Sequence, residues 1–263
     1  FMIKREYSSK ENLITLTIPD NFNFPLDSFL IKINSLLNEL PDGIQDNSFL
    51  LLPFLPYDMN EDNEKSITRV LGRIAQEHNV FIVFPCFDSF FHHNSIFIFN
   101  PKGKLLEVGE QKKKFITNQD IVKGDYSLIL DQQGEFVIFL LNEEIFFDAS
   151  IKSFNRLGGG LILHSSQEDS PGSYYWLNAL KLTALLNECS IVSNISGGGL
   201  TGIDPNGNLL IDKKKGHYFW NTFQIPKGFG FTPYQRWGNI FGWGSFLLII
   251  IPLLIFFVQK REK

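Results

Sequence analysis

Cysteine is scarce in this sequence: Cys86 and Cys189 are the only two among 263 residues. Two thiols do not make a disulfide framework, and neither sits in a C-x-x-C or metal-ligand spacing. Two readings stay open for them: small buried hydrophobes, or one disulfide if the domain faces an oxidising compartment. The chain also lacks a basic region. With a net charge of −4 and a pI near 5.8 it carries no footprint of a nucleic-acid-binding domain. Lysines gather only at Lys112 to Lys114, at Lys213 to Lys215 and in the C-terminal tail. Repeats of fixed period and low-complexity linkers are missing too. Gly197-Gly198-Gly199 is not a phosphate loop, because no Lys-Ser/Thr follows it. His92-His93 is the only histidine pair, and adjacent positions do not face one site on a regular element. No metal and no cofactor is expected.

The sequence begins at Phe1 without the charged and apolar regions of a signal peptide. Phe1-Met2-Ile3-Lys4-Arg5 reads as the end of something longer, so a fragment is expected.

Apolar residues are abundant, at 44% with 27 Phe, which is ample for a sizeable core. One apolar stretch stands apart. Ile240 to Val258 contains no charged residue. As a helix it would span about 28 Å, against a hydrocarbon thickness of about 30 Å. Trp237 and Trp243 sit at its N-terminal edge, and Gln259 to Lys263 close the other edge. Pro252 lies mid-span, which membrane helices tolerate. The alternative is a buried core helix, but such helices seldom run this long without a polar face. The expectation is a transmembrane helix with a basic tail over residues 236–263. The tail predicts a cytoplasmic C-terminus, with the preceding domain on the opposite side, periplasmic in a Gram-negative cell.

Before that segment, strands and helices alternate. Strands are expected at Leu13 to Ile18, Ser48 to Leu55, Val80 to Phe84, Phe136 to Leu141, Leu161 to His164 and Ser190 to Asn194. Helices are expected at Leu26 to Leu40, Glu64 to Glu77 and Tyr174 to Glu188. Two hairpins share one form: Ser95 to Asn100 and Lys104 to Val108 flank Pro101-Lys102-Gly103, and Gly202 to Asp204 and Asn208 to Ile211 flank Pro205-Asn206-Gly207. This order favours a layered α/β sandwich.

The run Thr232-Pro233-Tyr234-Gln235-Arg236-Trp237-Gly238, leading directly into an apolar segment, resembles the end of apolipoprotein N-acyltransferases. Other segments follow that family's order. Leu52-Pro53-Phe54-Leu55-Pro56 stands where the family has a strand ending in Pro-Glu. His93-Asn94-Ser95 through Pro101-Lys102-Gly103 resembles its asparagine-serine strand and hairpin. Lys112 to Lys114 stand at its lysine loop, Phe139 to Phe147 at its nucleophile strand and elbow, and Trp176 to Gly207 at the elements that follow. The resemblance covers nearly the whole chain. It implies a nitrilase-like αββα sandwich over residues 11–235, preceded by a juxtamembrane or linker segment at 1–10 and followed by one C-terminal transmembrane helix. It also implies a bacterial inner-membrane location with the main domain periplasmic. A lipoprotein, a phospholipid or a membrane protein is the expected partner.

Acyl transfer of this kind needs a cysteine thiolate, a glutamate base and a lysine to steady the oxyanion. The resemblance puts Phe54 on the glutamate, and a phenyl ring cannot accept a proton. It puts Lys112 on the lysine and Asp120 on a second, loop glutamate. It puts Asn142 on the cysteine, Glu143 on a tyrosine and Glu144 on a retained glutamate. A carboxamide has no thiolate to activate. The degenerate triad is therefore Phe54, Lys112 and Asn142, with Lys112, Asp120, Glu143 and Glu144 as candidate binding residues. The expected function is that of a catalytically inactive, membrane-anchored protein of the acyltransferase type. Two alternatives remain: an active acyltransferase using Cys86 or Cys189 as a relocated nucleophile, or a structural subunit of a membrane complex.

Overall fold

The structure is a computed structural model that describes residues 10–17, 26–39, 48–59, 61–88, 93–110, 128–132, 135–141, 145, 151, 159–166, 173–196, 199–213, 219–228, 232, 244 and 250. The segment Ile240 to Val258 lies outside these residues, apart from isolated positions. Among the described residues, no helix is long and apolar enough to cross a membrane.

Two sheets are stacked between helices. The first has seven strands: β1 (Lys10–Thr17), β2 (Phe49–Leu51), β3 (Leu55–Met59), β4 (Phe81–Asp88), β5 (His93–Phe99), β6 (Leu105–Glu110) and β13 (Phe219–Pro226). Their order is β13-β1-β2-β4-β5-β6, with β3 on β4. The second sheet has six strands in the order β12-β11-β10-β9-β8-β7. They are β7 (Leu128–Gln132), β8 (Glu135–Leu141), β9 (Leu161–Ser166), β10 (Ser190–Ile195), β11 (Gly199–Ile203) and β12 (Leu209–Lys213). Helices α1 (Leu26–Asn38) and α2 (Glu61–Glu77) cover the first sheet, and α3 (Ser173–Asn187) covers the second.

Side-chain alternation along the strands builds three apolar layers. In β4, Ile82, Phe84 and Cys86 face α1 and α2, while Phe81 and Val83 face the second sheet. In β8, Val137, Phe139 and Leu141 face inward, while Ile138 and Leu140 face α3. Phe49 of the first sheet meets Phe139 of the second with ring centroids 6.1 Å apart. The helices bury matching stripes: Phe29, Leu30, Ile33 and Leu37 on α1, and Ile67, Leu71, Ile74 and Ala75 on α2.

Both expected hairpins form, and they use one chemistry. Asn100 Oδ1 accepts the amides of Lys102 and Lys104 at 3.0 and 2.9 Å. Asp204 Oδ1 accepts those of Asn206 and Asn208 at 2.9 and 2.8 Å. Gly103 and Gly207 take φ values of 74° and 77°, a conformation that favours glycine. The first turn also supports the helix layer. A Cβ on Gly72 of α2 would lie 2.6 Å from the Gly103 carbonyl oxygen, so only glycine lets the two backbones meet.

The observed elements differ from expectation in three additions. The stretch expected as one strand from Ser48 to Leu55 divides into β2 and β3 around Leu52-Pro53-Phe54. β7 pairs antiparallel with β8, and β13 pairs antiparallel with β1 along its whole length. Along β13, Thr222 and Gln224 are exposed and Ile225 is buried, the alternation of a strand.

Candidate functional site

Within each sheet the central strands run parallel: β1, β2 and β4 in the first, β8, β9 and β10 in the second. Their C-terminal ends meet at one end of the sandwich. Asn194, near the end of β10, donates from Nδ2 to the carbonyl of Leu51, the last residue of β2, at 3.4 Å. Ser165, near the end of β9, donates from Oγ to the carbonyl of Asn194 at 3.2 Å. Leu141 ends β8 beside Ser165. In open α/β sheets, ligands gather at such strand ends because successive loops leave them together.

Phe54 stands three residues beyond the end of β2. Its side chain is fully buried in the inter-sheet core, the cluster that also holds Leu51, Leu141 and Leu163. A ring in that position is a packing element, with neither proton nor lone pair to offer. Lys112, Asp120, Asn142, Glu143 and Glu144 lie outside the described residues. Asp58, four residues beyond Phe54, belongs to β3 and pairs with Phe87 of β4.

The two cysteines are well defined. Cys86 does not follow β4, as the sequence suggested, but lies within it. It packs among Phe84, Phe97 and the α1–α2 stripes. That is the face of the first sheet opposite to Phe54. Cys189 packs under α3 with Ile191 and Ala184, and burial pushes its thiol well above the usual range. A buried neutral thiol is a poor nucleophile. The two belong to apolar layers on opposite sides of the sandwich and do not share a site.

One polar pair went unremarked in the sequence. His164 Nδ1 lies 2.7 Å from Ser193 Oγ on the neighbouring strand, and its ring sits 5.4 Å from that of Trp176. Serine beside histidine is the pattern of an activated nucleophile. Both residues, however, are completely buried on the α3 face of the sheet. A pair sealed beneath a helix satisfies core hydrogen-bonding needs rather than meeting a substrate. A histidine directly after the apolar run Leu161 to Leu163 was the signal that could have found it. Among the described residues, no cluster of three His, Cys, Asp or Glu side chains could hold a metal ion.

Known structures share this arrangement. An amidase from Nesterenkonia sp. superposes with a TM-score of 0.69 at 13% identity, covering 83% of this chain and 91% of the amidase. Saccharomyces cerevisiae Nit3, a member of branch 10 of the nitrilase superfamily, superposes with a TM-score of 0.62 at 16% identity, covering 82% and 90%. The fold is that of the nitrilase superfamily. No family model and no curated protein matches the sequence. A further structure of the Nesterenkonia amidase carries the acetamide moiety of fluoroacetamide covalently on its active-site cysteine, with a TM-score of 0.68 at 14% identity, covering 82% and 90%. The described cysteines of the present nitrilase fold stand inside its outer apolar layers instead.

Proposed function

We propose that this nitrilase-fold chain is a catalytically inactive relative of apolipoprotein N-acyltransferase. It sits in a bacterial inner membrane through its C-terminal apolar segment, with the nitrilase domain periplasmic and the C-terminus cytoplasmic. It binds a lipoprotein, a lipid or a partner membrane protein through its nitrilase-like domain, with Lys112, Asp120, Glu143 and Glu144 as the candidate binding residues. The observation that carries the reading is Phe54. A general base is replaced by a ring packed completely into the inter-sheet core. The burial of both thiols, and the raised pKa of Cys189, support it further, since a thiol packed in an apolar layer is poorly placed to meet a substrate.

The purified full-length chain is tested with phospholipid vesicles and a diacylated lipopeptide. The expected result is saturable lipopeptide binding without N-acylated product. Product formation that Cys86→Ser or Cys189→Ser abolishes would overturn the reading in favour of a relocated nucleophile. Absence of lipopeptide binding would remove the lipoprotein arm.

A further inference from the structure

The outer face of the second sheet is unusually apolar. α3 carries a single charged side chain, Lys181. Leu182 and Leu185 on its outer side are 56% and 46% exposed. Leu185 lies against Gly207 at the tip of the β11–β12 hairpin, and the next residues on β12, Leu209 and Leu210, are 38% and 43% exposed. A helix in an outer layer normally turns a polar stripe to water. Here four leucines face outward within one neighbourhood, and contiguous exposed apolar surface of this kind marks a contact.

The chain itself indicates what covers it. Thr232 Oγ1 donates to the carbonyl of Leu186 in the last turn of α3 at 2.6 Å. Thr232 is therefore held at the last turn of α3, on the helix that carries Leu182 and Leu185. Leu182 is four residues from that anchor, about 6 Å along the helix. The uncharged run Ile240 to Val258 begins eight residues after Thr232. Eight residues reach at most about 29 Å. Once that run enters a bilayer, the leucines of α3 cannot be far from its surface.

Charge points the same way. Lys181 is the one charged residue of α3 and neighbours the exposed Leu182 in sequence. A basic side chain next to exposed leucines suits an anionic headgroup layer. We propose that the outer face of α3 and the adjoining β12 hairpin rest on the surface of an anionic lipid bilayer. This inference rests on the membrane anchorage proposed above.

The test uses the full-length chain in vesicles of phosphatidylcholine and phosphatidylglycerol. Leu182→Cys and Leu185→Cys are each labelled with an environment-sensitive fluorophore, with Lys65→Cys and Arg69→Cys on α2 as controls. Cys86 and Cys189 are buried. Flotation reports anchorage separately. The expected result is strong quenching at positions 182 and 185 by lipid-borne spin labels, with a blue-shifted emission, and little of either at 65 and 69. A chain that floats but shows equal, weak quenching at all four positions overturns the inference and leaves anchorage standing. Shielding of position 182 from the lipid quencher together with a dimer in detergent overturns it in favour of a second copy. A chain that does not float overturns both.

Discussion

Helices α2 and α3 do the same structural job with different exteriors, while α1 exposes a single large apolar residue, Ile31, among the described residues. α2 buries Ile67, Leu71, Ile74 and Ala75 and turns Lys65, Arg69, Arg73, Gln76 and Glu77 to solvent. α3 buries Leu180 and Ala184 but turns Leu182 and Leu185 outward. Core burial explains the inner stripe of both helices. It does not explain the exposed parts of Leu182 and Leu185 on α3. The contrast separates what the fold requires from what the proposed bilayer contact would require.

The largest effect should come from the interior that both halves share. Phe54→Ala should cost about 3–5 kcal/mol in urea unfolding, as expected for truncating a fully buried ring. Both sheets should then lose amide-exchange protection together. Retained protection in the second sheet would show that the halves are separable. A smaller and one-sided effect should follow Gly72→Ala. Its new Cβ would meet the Gly103 carbonyl at 2.6 Å. A cost of about 1–3 kcal/mol is expected for such overpacking. It should loosen the β5–β6 turn while the α3 layer keeps its exchange rates.

The smallest effect is a pH dependence confined to the α2 layer. His78 follows the last turn of α2, and its pKa is lowered from 6.5, first by desolvation, against an opposing pull from Glu77. The unfolded chain therefore takes up this proton at a higher pH than the folded one. The contribution is fully present above pH 6.5 and declines as pH falls through 6.5 toward the lower folded value. His78→Gln should flatten that part of the thermal-stability profile. An unchanged slope would contradict it.

Much of the architecture was legible because it rests on local rules. The hairpins at Pro101-Lys102-Gly103 and Pro205-Asn206-Gly207 declare their turns through glycine and an Asn or Asp at the start. Long apolar runs such as Phe136 to Leu141 declare buried strands. What escaped was non-local or broken. β13 is an edge strand completed by pairing with β1, some two hundred residues earlier in the chain. β3 contains Pro56, which cannot donate to a ladder, and it pairs only with β4. At the candidate site, the sequence put Phe54 inside one strand from Ser48 to Leu55, whereas it stands after β2, and the structure shows why an aromatic fits there: the space belongs to the core. The side of the sheet faced by Cys86 depends on strand extent. A strand ending at Phe84 leaves Cys86 in the loop that follows, whereas extending it to Asp88 turns the thiol toward the helices. The Ser193–His164 pair depends on strand register between β9 and β10, which no local pattern encodes.

The proposed function holds that this nitrilase-fold chain has no working thiol. Its most direct test is intact-mass measurement of the full-length chain after incubation with a phospholipid bearing an alkyne-tagged acyl chain. The account predicts an unmodified mass, with both cysteines still free on denaturation. A hydroxylamine-sensitive acyl adduct on Cys86 or Cys189 would contradict it.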